Sequence, residues 1–126
     1  MTGVLSVILG ASRAPLSASL FPSTVSGSEF VLASGSVAVT AITDSVTATA
    51  SGGQAPYTYL WEYVSGDTAT ATTGTSASTT FSRTVTQTSP FLVTRTGLYR
   101  CRVTDALSTI AYTGNVTVNT THEAEP

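Results

Sequence analysis

Two stretches of the chain alternate apolar and polar residues with the period of two that a half-buried strand requires. In Tyr57 to Tyr63, the residues Tyr57, Tyr59, Trp61 and Tyr63 share one face, with Leu60 and Glu62 on the other. In Leu98 to Thr104, Tyr99, Cys101 and Val103 point one way and Arg100 and Arg102 the other. Weaker strand patterns cover Leu16–Phe21, Val37–Ile42, Val46–Ser51, Phe81–Val85 and Thr109–Val118, the last irregular at Gly114-Asn115. Turn residues separate them at Pro22-Ser23-Thr24 with Gly27, Ser34-Gly35-Ser36, Thr43-Asp44-Ser45, Gly52 to Pro56, Ser65-Gly66-Asp67 and Asp105 to Ser108. Val37–Ile42 reads as a continuation of the edge that begins at Leu16. The parity that buries Phe81 and Val85 would also bury Arg83, which predicts a bulge or a strand-end position from which Arg83 reaches solvent. Thr68 to Thr80, almost all Thr, Ala, Ser and Gly, reads as a weak edge strand or a mobile loop. Residues 119–126 read as a polar, frayed tail. No window shows a sustained 3.6-residue period.

Composition sharpens the class. The 126 residues hold one domain with burial enough to fold without staples. Ser and Thr make up about a third of the chain, lysine is missing, and charged residues are 10%. Thr and Val favour strands and Ser favours turns, so the fold class is all-β. A net charge of −2 argues against a nucleic-acid partner, which calls for a basic face.

Candidate chemistry is sparse. His122 is the single histidine and falls in the predicted tail, so a Ser-His-Asp or Cys-His set would need that tail to fold back. Strand parity places Cys101 beside Trp61 as an inert core thiol. Asp44, Asp67 and Asp105 sit in turns, where caps and Asx-turns are the better reading than a calcium site. No catalytic residue, metal ligand or cofactor is therefore assigned. Asn115-Val116-Thr117 and Asn119-Thr120-Thr121 match the glycosylation pattern, as a Thr-rich chain does by chance. Arg100 and Arg102, opposite Leu60 and Glu62, form either a cross-strand charge pair on a solvated face or a partner-binding patch. The apolar run Val4, Leu5, Val7, Ile8 and Leu9 has no basic residue before it and is short for a signal peptide. It reads as an uncleaved start. Within residues 1–14 it forms either an extra strand covering the domain's own edge or an arm that adds to a neighbouring subunit. No stretch approaches the length of a membrane span.

Ser51-Gly52-Gly53, Pro56 to Trp61, Tyr99 to Asp105 and Asn115 to Val118 resemble immunoglobulin-like and PKD-like modules of bacterial surface proteins. In length and composition they are similar to small immunoglobulin-like proteins of tailed-bacteriophage virions. The resemblance covers residues 15–118 and implies an immunoglobulin-like antiparallel β-sandwich, with Trp61, Tyr99 and Cys101 as its core signature and Gly97 to Cys101 as a tyrosine corner. With one cysteine in the chain the inter-sheet disulfide is missing, and Ala48 or Ala50 takes the place of the partner cysteine. The Gly-Asp-Gly type of turn after the tryptophan and the aspartate two residues before Gly97 are both replaced here, the latter by Arg95. The function this implies is non-enzymatic: a multi-copy structural protein of a tailed-phage virion, made in the host cytoplasm without a signal peptide. It would decorate the capsid exterior or attach to the tail, contacting major capsid or tail proteins and sister subunits. The alternative is an adhesive module binding carbohydrate or host-surface glycans, with Tyr57 and the Thr-rich segment as a stacking platform.

Overall fold

The computed structural model describes residues 14–126, and among these there are eleven strands and no helix. The predicted run Val4 to Leu9 lies outside the described residues. The strands are β1 Ser17–Phe21, β2 Thr24–Leu32, β3 Ser36–Ile42, β4 Val46–Ser51, β5 Thr58–Gly66 and β6 Thr70–Ala71. They continue with β7 Ser78–Thr79, β8 Phe81–Thr88, β9 Phe91–Thr104, β10 Ile110–Tyr112 and β11 Val116–Glu125. The fold is all-β, built of several sheets in an arrangement compatible with a β-sandwich.

The first layer is organised by β9, whose 14 residues leave room for different partners along its length. On one edge β5 runs antiparallel to it, with Trp61 opposite Cys101 and Glu62 opposite Arg100. On the other edge β11 pairs with its first part and β10 with its last. Between these two strands Thr113 bridges the gap: its N–H donates to the Cys101 carbonyl and its hydroxyl accepts from the Cys101 N–H. One polar side chain thus keeps the backbone of a buried strand satisfied where the ladder breaks. β2 completes this layer, parallel to β11 from Thr24↔Thr117 to Leu32↔Glu125.

The second layer holds two three-stranded sheets, β1-β4-β7 and β3-β8-β6. They run on in line, because β3 and β4 together face β8 and β7 together, with Val39 opposite Val85 and Val46 opposite Thr79. Thr43 makes the joint. Its N–H donates to the Phe81 carbonyl, and its hydroxyl accepts from the Phe81 N–H. One apolar cluster joins residues of both layers: Val46 and Ala48 from β4, Phe81 from β8, Trp61 from β5, and Tyr99 and Cys101 from β9.

Several sequence expectations are corrected by this pairing. Val37–Ile42 does not continue the edge of β1; it pairs with β8, because Val37, Val39 and Ala41 need the opposite layer to bury them. The stretch read as a break after Phe21 contains β2. Residues 119–126 are not a frayed tail, since β11 runs to Glu125 with a partner strand on each side and with His122 and Ala124 fully buried. Arg83 does not escape to solvent, being 7% exposed. Its Nε donates to the Thr68 carbonyl, one terminal nitrogen donates to the Asp67 carbonyl, and the other donates to the Thr120 hydroxyl and the Arg95 carbonyl. Thr68 to Thr80 folds as the short strands β6 and β7 around a turn.

Candidate interaction face

The residues assigned to the core signature meet as one aromatic group. Trp61 packs edge-on to Phe81 at 6.1 Å between ring centroids, and Phe81 lies 4.8 Å from Tyr99. The Trp61 indole donates to the Ser76 carbonyl, which ties β5 to the loop before β7. Ala48 belongs to the same cluster, and Ala50 packs at its border. The Tyr99 hydroxyl does not reach a carbonyl a few residues upstream, as a tyrosine corner would. It accepts from the Ala69 N–H and donates to the Ala69 carbonyl, both at 2.7 Å, and so clamps the chain leaving β5. Cys101 is a free, fully buried thiol whose pKa burial pushes up to about 11, a Leu60 backbone hydrogen bond lowering it and Glu62 adding to the rise. A neutral buried thiol is a poor nucleophile.

His122 is equally committed. Its Nδ1 lies 2.9 Å from the Val39 carbonyl and its Nε2 lies 2.9 Å from the Thr120 hydroxyl. A carbonyl only accepts, so Nδ1 carries a proton and donates to Val39; Nε2 and the Thr120 hydroxyl share a hydrogen bond, and the Thr120 oxygen also accepts from Arg83. Every group in this chain has a partner, and the imidazole does not open to solvent. Asp105 is also an organiser: its carboxylate accepts from the N–H groups of Gln54, Leu107 and Thr109, pinning two loops together. Burial acts to raise its pKa, but the hydrogen bonds from Thr109, Gln54 and Leu107 outweigh that and hold it below the ordinary carboxylate value. Asp67 accepts from the Thr96 N–H. Among the described residues no three His, Cys, Asp or Glu side chains gather as a metal site. The Tyr57 hydroxyl donates to the Gly52 carbonyl, and its partly exposed ring packs at the border of the core.

What remains open is the outward face of β5, β9 and β10. Cross-strand register sets Leu60, Arg102 and Tyr112 in one row and Glu62 and Arg100 in the next. Glu62 lies 3.4 Å from Arg100 and 3.5 Å from Arg102. The Arg100 Nε lacks hydrogen-bond geometry to any partner, so that contact is electrostatic only. One carboxylate shared by two guanidiniums leaves a net positive charge. The Arg100 guanidinium also stacks 3.9 Å over the Tyr112 ring, which holds it against the face. Tyr112 is 45% exposed, and Ile110 and Leu60 add apolar area beside it. Ile110 and Tyr112 were not singled out in the sequence, although their alternation across Ala111 was the signal that could have found them.

A shallow polar groove of about 300 Å³ lies beside Arg83, lined also by Thr84, Thr86, Gln87 and Arg95. The Arg83 guanidinium is occupied by the contacts described above. No family model, curated protein or solved structure was found to match the chain.

Proposed function

We propose that this chain is an immunoglobulin-like sandwich module of a non-enzymatic structural protein, present in many copies on the exterior of a tailed-phage virion, on capsid or tail. The immunoglobulin-like reading is supported by the parallel pairing of an early strand with the last one and by the antiparallel β5–β9 pair. The Trp61–Cys101 core, with Ala48 where a second cysteine would stand, adds to it. The non-enzymatic reading is supported by the commitment of His122, Cys101 and Asp105 to structural hydrogen bonds or burial. The observation that carries the function is the Arg100–Arg102–Tyr112 face, where Arg100 is held over the Tyr112 ring and both arginines are flanked by exposed Leu60 and Ile110. Arg and Tyr beside exposed apolar side chains are typical of protein-docking surfaces. The experiment is to delete the gene and image purified particles by electron microscopy. The reading predicts loss of a repeated surface feature; particles indistinguishable from the parent would contradict it.

A further inference from the structure

The outward face of the β2-β11-β9-β5 layer is chemically lopsided. At one end stand Arg100 and Arg102 with the single Glu62. At the other end register brings Leu92, Glu123 and Phe30 into one row and Glu125 and Leu32 into the next. Among the described residues no cation faces outward there. Leu92 is 66% and Leu32 74% exposed. Both ends therefore pair apolar area with charge, and the charges are opposite. Between them lie Leu98 and small polar residues already paired with one another: Thr96 donates to Asn119, and Thr94 meets Thr121.

We propose that this face docks onto the same face of a second copy, antiparallel, with a two-fold axis crossing near Thr96. The docking rests on the reading of the Arg100–Arg102 face as an interface and names its partner. Each Arg100–Arg102 end then lies over the Glu123–Glu125 end of the partner, and Leu60 and Tyr112 meet the exposed Leu92 and Phe30. An isologous contact satisfies both ends at once, because each copy supplies both signs. Leu92 and Arg102 are separated by about 33 Å at about 3.3 Å per residue. Three strands about 4.8 Å apart over about 40 Å offer about 600 Å² per copy. The pair then buries about 1,200 Å², above the roughly 1,000 Å² that a specific interface needs.

Sedimentation velocity on the full chain tests this. The wild type should dimerise within concentrations up to about 100 μM and dissociate with added salt. Two charge-reversal variants, Arg100→Glu with Arg102→Glu and Glu123→Arg with Glu125→Arg, should each weaken dimerisation by at least about tenfold, because like charges then meet at both ends. Mixed in equal amounts they should form a heterodimer, since each supplies the sign the other lacks. A reversal variant that fails to melt cooperatively is replaced by Leu92→Arg, an exposed change that removes apolar area and sets a cation against the partner's Arg100–Arg102 end, and that should weaken dimerisation equally. A monomeric wild type, dimers indifferent to charge reversal or to Leu92→Arg, or folded variants that do not recombine would overturn self-docking. A monomeric wild type together with altered particles on gene deletion would separate that failure from failure of the virion reading.

Discussion

The two ends of the domain are held by different physics. Around Trp61 the interior is apolar and aromatic, and the polar groups at its margin, hydroxyls, an indole and the Asp105 carboxylate, each hold a neighbouring loop. Around His122 the apolar contribution shrinks to Val37, Val39 and Ala124 with Val31, Ala33 and Phe91 at the margin. A chain of hydrogen bonds from Arg83 through Thr120 and His122 to Val39 takes its place. An apolar cluster rewards volume and forgives identity. A buried polar chain demands each member, because a missing partner leaves the others unsatisfied in a medium that cannot replace water.

The contrast predicts opposite tolerances. Trp61→Ala should cost about 3 to 5 kcal/mol, from lost aromatic volume and a cavity that no disulfide offsets. Trp61→Phe, which keeps most of the ring and loses the bond to Ser76, should cost much less in the same urea titration. At the other end a change that nearly conserves volume should not be cheap: Arg83→Met keeps the stem but strips the Thr68 and Asp67 carbonyls and Thr120 of a donor, for an expected loss of about 2 to 4 kcal/mol. If Arg83→Met proves neutral while Trp61→Phe is severe, the contrast is reversed and the account fails.

Two smaller effects probe the Trp61 end. The folded pKa of Asp105 lies below its unfolded value, near 3.9 for an ordinary aspartate. Its contribution to stability is therefore complete above the unfolded pKa and is lost as pH falls through the folded one. Urea midpoints should drop below about pH 4, and Asp105→Asn should show a shallower acid decline from a lower starting stability. A parallel decline in both proteins would remove Asp105 as the cause. Cys101, buried and with its pKa raised to about 11, should resist thiol reagents in the native state and react only on unfolding. Rapid labelling of native protein would mean that the core is open there.

Alternation made β5 and the second half of β9 legible, because one face of each lies on apolar residues. The same logic misread β11 beyond Val118. Its inward positions are Thr120, His122 and Ala124, so a reading that sends polar residues outward sees a tail. Those residues face inward because Arg83 and the Val39 carbonyl are waiting for them, and neither partner is near in sequence. β2 was hidden for a related reason. Ser26-Gly27-Ser28-Glu29 carries no apolar period, and its place comes from a parallel partner more than ninety residues away. Gly27 fits there because a side chain would strike the Ile42 carbonyl, 2.2 Å from where its Cβ would sit. On the candidate face, Arg100 and Arg102 opposite Leu60 and Glu62 could be read from parity. The alternation of Ile110 and Tyr112 could be read too, but not that Tyr112 lies beside Arg100, nor the acidic end, since these depend on where β10 and β11 lie beside β9.

The most direct test of the contrast is native-state hydrogen exchange at the amides of Thr120 to Ala124. With β9 on one edge and β2 on the other, every backbone group in this stretch has a ladder partner, and its side chains are locked into the buried chain. The account predicts protection at these amides comparable to that at Cys101 and Val103, through openings close to global unfolding. Exchange at the rate of a free chain end would contradict it, and the polar chain would then not be what holds that half of the domain.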